Sequence, residues 1–282
     1  NGAASVTVVS RQGPVTYPDA LTQIGCNLII NTTPLGMSPA TEGDPLPLDG
    51  FPRLRGVFDV IYNPLRTRFI QRAERLGLPA ANGLWMLIAQ AKAAGERFLN
   101  AELDEHEIER VDRMMIERTE NIVLIGMPGA GKTTVGRALA ARTGKTFVDL
   151  DEVFVRRVGT SIPEYFKTHG EIAFRDAESD LAAEFGKKTG QVLATGGGAV
   201  LRKENQIHLR MNGAVIFLER AIDALPIDGR PISQSAASLD DLYRERLPRY
   251  LETSDHRVMN DLDVGSVVER IIEWLNQRQA QA

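Results

Sequence analysis

An apolar stretch, Asn121–Ile125, runs directly into Gly126-Met-Pro-Gly-Ala-Gly-Lys132-Thr133, and residues with helical spacing follow from Lys132. A glycine, four residues, then Gly-Lys-Thr between a strand and a helix is the phosphate-loop arrangement. It restricts the second half of the chain to an α/β layer, because the loop needs a buried strand behind it and a helix N-terminus ahead of it. The glycines allow the backbone of Gly126, Met127, Pro128, Gly129, Ala130, Gly131, Lys132, Thr133 and Thr134 to wrap a phosphate chain, with amides turned inward and the helix terminus adding partial positive charge. Lys132 is spaced to reach the β- and γ-phosphates of ATP, and Thr133 to offer its hydroxyl to Mg2+.

Residues 120–282 continue in alternation, with strands predicted over 146–150, 191–194, 214–218 and 257–259 and helices over 161–168, 170–185, 203–211, 239–251 and 265–277. Ser161 and Glu164 form a capping box for the first of those helices. Residues 1–100 alternate independently, with β-rich segments at 5–10, 27–31 and 56–60 and helical spacing at 66–76 and 83–99. Between them, residues 101–119 are rich in Asp, Glu and Arg, while Ile108, Val111 and Met115 keep an amphipathic spacing, so a charged connecting helix is expected. A length of 282 residues with 43% hydrophobic content suits two such domains, each with its own core.

The formal charge of −4 provides no global positive field to hold nucleic acid, and the apolar runs are too short to span a membrane. An anionic substrate would therefore need a local basic pocket. The lone Cys26 has no partner for an internal disulfide and no histidine near it in sequence; it reads as a packed thiol, compatible with a cytoplasmic location. The chain opens on Asn1 rather than methionine, as expected of a processed or partial chain.

Asp149 and Asp151 close the strand predicted at 146–150, and alternation would put both on one face, at the carboxyl edge where ligands collect in open α/β sheets. One carboxylate could serve the metal and the other orient an acceptor hydroxyl; capping of a following helix is the competing use of such a residue. Gly196, Gly197 and Gly198 follow the buried strand Gln191–Ala194 and permit close backbone approach. Arg175 starts a helix near the same crevice, and Arg246 opens a charged turn late in the chain. Arg230, in the aperiodic segment 222–238 with its two prolines, suits a lid arginine over the phosphates.

Taken in order, the glycine loop, Asp149-Leu-Asp151, Gly170 to Arg175, Gly196-Gly-Gly198, Gly229-Arg230-Pro231 and Arg246-Leu-Pro make residues 120–282 resemble shikimate kinase. The resemblance implies that Asp149 helps hold Mg2+, that Asp151 contacts the shikimate hydroxyls, and that Arg175 and Arg246 clamp its carboxylate. It also implies that the backbone of Gly196, Gly197 and Gly198 closes the acceptor pocket, and that Arg230 is the lid arginine. Two planar guanidinium groups suit a carboxylate, since each can give paired charge-assisted bonds. Between Leu218 and Arg230 the chain is several residues shorter than the common family pattern, with no evident counterpart to the arginine that stacks on adenine. Shikimate and ATP are the implied partners, and the kinase domain is expected to be a monomer.

Residues 1–100 resemble the C-terminal, NADP-binding part of shikimate dehydrogenase through Asn31-Thr-Thr-Pro-Leu-Gly-Met37, Asp59-Val-Ile-Tyr-Asn-Pro64 and Asn82-Gly-Leu-Trp-Met86 with Gln90. By that resemblance Ser10 and Arg11 lie near the 2′-phosphate of NADP, Thr33 and Gly83 near the cofactor, and Tyr62 and Gln90 near shikimate. That family's catalytic substrate domain and pyrophosphate turn would precede residue 1, so this chain is expected to lack dehydrogenase activity, whereas a longer parent would be bifunctional. The implied fold is α/β: a P-loop, nucleoside-monophosphate-kinase-like parallel sheet with a lid, preceded by a partial Rossmann-like NADP-binding domain. Alternative readings are another small-molecule P-loop kinase of gluconate or nucleotide type, an NADP-dependent oxidoreductase carrying the kinase as an appendage, or a docking role for residues 1–100.

Overall fold

A computed structural model describes residues 3–22, 25–225 and 239–281. The chain divides into two compact units, Asn1–Ile108 and Glu109–Ala282.

In the first unit a short helix α1 (Tyr17–Ala20) precedes β1 (Leu28–Asn31), β2 (Gly56–Asp59), α2 (Arg68–Arg75), β3 (Ala80–Ala81) and α3 (Leu84–Leu99). The three strands form a parallel sheet in the order β1-β2-β3. Its core is small: Leu48, Phe51, Leu54 and Val57 pack on Phe69, Ile70 and Ala73 of α2. Residues 5–10, expected as a strand, do not form one. Val6 and Val8 are exposed, and only an isolated bridge joins Val9 to Val15. β-branched residues favour an extended chain, but a strand also needs a neighbour to accept its hydrogen bonds, and among the described residues no other pairing forms here. Asp59, fully buried at the end of β2, accepts from Asn31 Nδ2 at 3.0 Å and Thr67 Oγ1 at 2.7 Å, and burial raises its pKa.

Helix α4 (His106–Thr119) leads into the second unit, whose order is β4 (Asn121–Ile125), α5 (Lys132–Thr143), β5 (Thr146–Asp149), α6 (Leu150–Val158), α7 (Ile162–Gly186), β6 (Gln191–Ala194), α8 (Lys203–Arg210), β7 (Gly213–Glu219), α9 (Leu239–Thr253), β8 (His256–Met259) and α10 (Val264–Gln281). The sheet is entirely parallel with the order β5-β6-β4-β7-β8. Its central strands are covered on both faces, which is why they read as unbroken apolar runs. Ile122 and Leu124 point to the side of α5 and α10, where Val135, Leu139, Val267 and Ile271 pack. Val123 and Ile125 point to the opposite side, onto Phe154, Phe174, Leu181 and Tyr250 of α6, α7 and α9.

Three local readings change. Helix α6, for which no sequence signal was assigned, starts immediately after Asp149 and ends at Gly159 in the left-handed conformation. The two helices expected over 161–168 and 170–185 abut as α7, with Gly170 (φ 80°, ψ 172°) breaking the helical path between them; Ser161 Oγ caps the first by accepting from the Glu164 amide. Arg246 lies not in a turn but inside α9, which continues through Pro248. Among the described residues no helix is long and apolar enough to cross a membrane.

Candidate active site

The carboxyl ends of β4, β5 and β6 open onto a cleft of about 630 Å³. Its ionisable lining consists of the cations Lys132, Arg175, Arg220 and Arg246 and the carboxylates Asp149, Asp151 and Glu178, a balance that suits an anionic ligand.

The phosphate loop forms one wall. Gly126 and Gly131 have φ values of +143° and +93°, and a Cβ would fall 2.3 Å from the Leu218 carbonyl oxygen at the first and 2.5 Å from Asn260 Nδ2 at the second. Both positions thus require glycine for conformation and for space. Asn260 Nδ2 donates to the Ala130 carbonyl at 2.7 Å, and Arg220 Nη1 reaches the Gly129 carbonyl at 3.5 Å. The Ala130 amide donates to the Met127 carbonyl at 3.1 Å, which closes the loop on itself. Lys132 is buried, and its Nζ donates to the carbonyls of Gly126 and Met127 at 2.8 and 2.9 Å, arched back over the loop it belongs to.

Thr133 Oγ1 donates to Asp149 Oδ2 at 2.7 Å, so two hard oxygen donors stand side by side at the loop's edge. They fit Mg2+. Among the described residues no group of three or more His, Cys, Asp or Glu side chains could hold a metal, so the remaining coordination would come from phosphate oxygens and water.

Asp149 is a helix cap, and its second carboxylate oxygen is turned to Thr133 rather than to the cap. While Oδ2 faces Thr133, Oδ1 accepts from the amides of Asp151 and Glu152 at 3.0 and 3.3 Å, capping α6. This cap overturns the expected strand placement of Asp151. The strand ends at Asp149, and Asp151 reaches the cleft from the first turn of a helix. There burial pushes its pKa up to about 6, reinforced by the negative charges of Asp149 and Glu178 and opposed by Lys132 and Arg175.

Steric demand explains the glycine triplet. A Cβ on Gly196 would lie 2.8 Å from Asp151 Oδ1 and 2.9 Å from Glu178 Oε1, one on Gly197 would lie 2.5 Å from the Pro128 ring, and one on Gly198 would lie 2.3 Å from Arg175 Nη1. The backbone here is pressed between the phosphate loop and the charged side chains of α6 and α7, with no room for any side chain of its own.

Arg175 and Arg246 are both buried cleft residues, contrary to the usual solvated fate of an arginine. Arg175 Nη1 donates to Glu178 Oε2 at 2.8 Å, and its guanidinium lies near the Phe174 ring, 5.3 Å from the centroid. The Nε of Arg246 is buried and has no hydrogen-bond partner among the described residues, while its guanidinium interacts with the Tyr250 phenol. Arg230 lies outside the described residues.

Sequence reasoning missed three residues of this site. Glu178 follows Arg175 by three positions on α7, a spacing that could have marked it as the arginine's partner; burial raises its pKa, against the pull of Arg175. Tyr250 donates to the Gly197 carbonyl at 2.5 Å. Arg220, the residue after β7, is the third; neither it nor Tyr250 has a local signal.

Comparison with known proteins points to one family. The family model described as shikimate kinase matches residues 128–276. The shikimate kinase of Chromobacterium violaceum is 42% identical over 164 residues, 55% of this chain and 89% of that protein. The shikimate kinase of Nitratidesulfovibrio vulgaris is 41% identical over 165 residues, 55% of this chain and 94% of that protein. Among solved structures, shikimate kinase from Acinetobacter baumannii in complex with shikimate superposes with a TM-score of 0.53 at 30% identity, covering 58% of this chain and 97% of that one. The family model spans more than half of the chain, and these relatives are matched over nearly their whole length: the chain belongs to the shikimate kinase family.

Proposed function

We propose that the cleft of the second unit transfers the γ-phosphoryl group of ATP to the 3-hydroxyl of shikimate. The observation that carries this reading is the pair of buried arginines, Arg175 and Arg246, set in one cleft with Asp151 and a phosphate loop. A neutral acceptor would not require two buried guanidinium groups, so the pair favours a carboxylate-bearing acceptor; gluconate carries a carboxylate too, and turnover separates it from shikimate.

The residues divide the work as follows. Amides at the helix end of the loop, from Gly131 to Thr134, hold the phosphate chain, and Lys132 leaves its carbonyl partners to meet the β- and γ-phosphates. Thr133 and Asp149 would hold Mg2+, which when bound neutralises phosphate charge. Arg175 and Arg246 fix the acceptor's carboxylate, and the backbone of Gly196, Gly197 and Gly198 walls the acceptor pocket. Asp151 accepts the proton of the attacking hydroxyl as the bond from that oxygen to phosphorus forms and the β,γ-bridging bond breaks, releasing ADP. Arg230 would neutralise charge on the transferring group from the lid. A monomeric kinase unit suffices for this chemistry.

For residues 1–100 we infer a piece of an NADP-binding domain of shikimate dehydrogenase type, inactive by itself. Support comes from its parallel strands and from the motif residues Thr33, Tyr62 and Gly83, each placed shortly after the end of β1, β2 or β3.

The test is coupled ADP release from the full chain with Mg·ATP and, in turn, shikimate, gluconate or no acceptor, with Lys132→Ala as control. Turnover with shikimate alone, lost in the variant, is the expected result; turnover with gluconate, or with neither, would overturn the assignment.

A further inference from the structure

Tyr250 touches both walls of the cleft without lining it. Its ring is fully buried and stacked on Phe217 of β7, with centroids 4.9 Å apart and planes 18° from parallel. The hydroxyl donates to the Gly197 carbonyl at 2.5 Å and lies 3.7 Å from the sulfur of Met127 in the phosphate loop. One helical turn earlier on α9, Arg246 interacts electrostatically with the same phenol. A single hydroxyl therefore meets the phosphate loop, the glycine wall and the helix that carries an acceptor arginine.

Gly197 has a steric need for such a tether. Its direct neighbour is the Pro128 ring, which occupies the space of a side chain, so only the peptide group can be held. Rotation of that peptide would displace Gly196 and Gly198 as well, and with them the surfaces against Asp151 and Arg175. Burial drives the pKa of Tyr250 up to about 12, which keeps the phenol a donor at every pH at which the enzyme would work.

We propose that Tyr250 is a positioning residue for the acceptor pocket: its hydroxyl fixes the Gly197 peptide so that the glycine wall and Arg246 keep the spacing that shikimate needs. This rests on the acceptor reading given above. The nucleotide half should be nearly indifferent to the hydroxyl, because the phosphate loop is held independently by Asn260 and by its strand.

Tyr250→Phe deletes the hydrogen bond and retains the stack. Steady-state kinetics with shikimate and Mg·ATP varied separately should show KM for shikimate raised about three- to tenfold and KM for Mg·ATP changed less than twofold, the scale of one lost neutral hydrogen bond. Val267→Ala, in the core on the opposite face of the sheet, should lower Tm without changing the ratio of the two KM values. Equal shifts in both constants, or the same ratio change in Val267→Ala, would reduce Tyr250 to a packing residue and overturn the inference. Wild-type turnover with shikimate and no kinetic change in Tyr250→Phe would also overturn it, leaving the acceptor assignment intact. Wild type inactive with shikimate would remove that assignment and this inference together.

Discussion

One side of the cleft is lined by a single continuous run, the loop residues Pro128, Gly129 and Gly131 with Lys132, Thr133 and Thr134. The acceptor side is assembled from side chains of α6, α7 and α9 around a glycine wall that contributes only peptide groups. The first kind of site depends on φ angles and space, so it is confined to residue types that a short motif can specify. The second depends on the packing of distant elements, so its specificity is set by burial and by who partners whom. Nucleotide binding and acceptor choice should accordingly fail separately.

The largest break should come at Lys132. Lys132→Ala is expected to lower kcat by roughly 10³-fold, the cost of losing a positioned charge on the transferring group, whatever the acceptor. Coupled ADP release checks it, and a loss confined to shikimate KM would contradict the division of labour.

Next is Asp151. Asp151→Asn should reduce kcat by about 10²–10³-fold through loss of a general base. In the wild type, kcat/KM for shikimate should fall as pH drops through about 6, where the carboxylate takes up its proton. Stability should move the other way. A carboxyl whose folded pKa exceeds its unfolded value favours the folded state most when protonated, and that contribution is lost as pH rises from 3.8 through about 6. The full shift corresponds to roughly 3 kcal/mol as an upper bound. Asp151→Asn should therefore melt higher than wild type at pH 8, with the gap closing toward pH 4, as differential scanning fluorimetry can show. Equal melting at both pH values would mean that the charged form is not disfavoured by burial.

Smaller effects should sharpen the acceptor side. Arg246→Lys retains the charge but loses the planar donor, and should raise KM for shikimate by about tenfold or more with KM for Mg·ATP little changed. Gly198→Ala would set a methyl group into the Arg175 guanidinium, 2.3 Å from Nη1. Since a guanidinium can shift, an increase in shikimate KM of several-fold is expected, detectable in the same titrations.

Legibility in the sequence followed this division. The loop, its strand and its helix are contiguous, and Lys132 and Thr133 fall where the motif puts them. Asp151 was misplaced onto a strand because alternation was extended past Asp149, whose side chain ends the strand by capping α6. Residues 5–10 carry the composition of a strand, yet composition does not supply a neighbouring strand to pair with. Tyr250 and Gly197 are 53 residues apart, a separation at which no periodicity relates a hydroxyl to a carbonyl. Roles for Arg175 and Arg246 follow from family resemblance rather than from local pattern, and their burial emerges only when α7 and α9 pack over the sheet.

The wall formed by Gly196, Gly197 and Gly198 bears on how an inhibitor of this cleft would age under selection. At each of the three positions any added side chain starts inside a neighbouring atom's volume. A compound seated flat against that wall and bonded only to its peptide groups would face a surface on which any substitution must first displace Asp151 and Glu178, the Pro128 ring or the Arg175 guanidinium. Resistance would have to arise elsewhere in the lining, as at Val155, whose side chain is exposed.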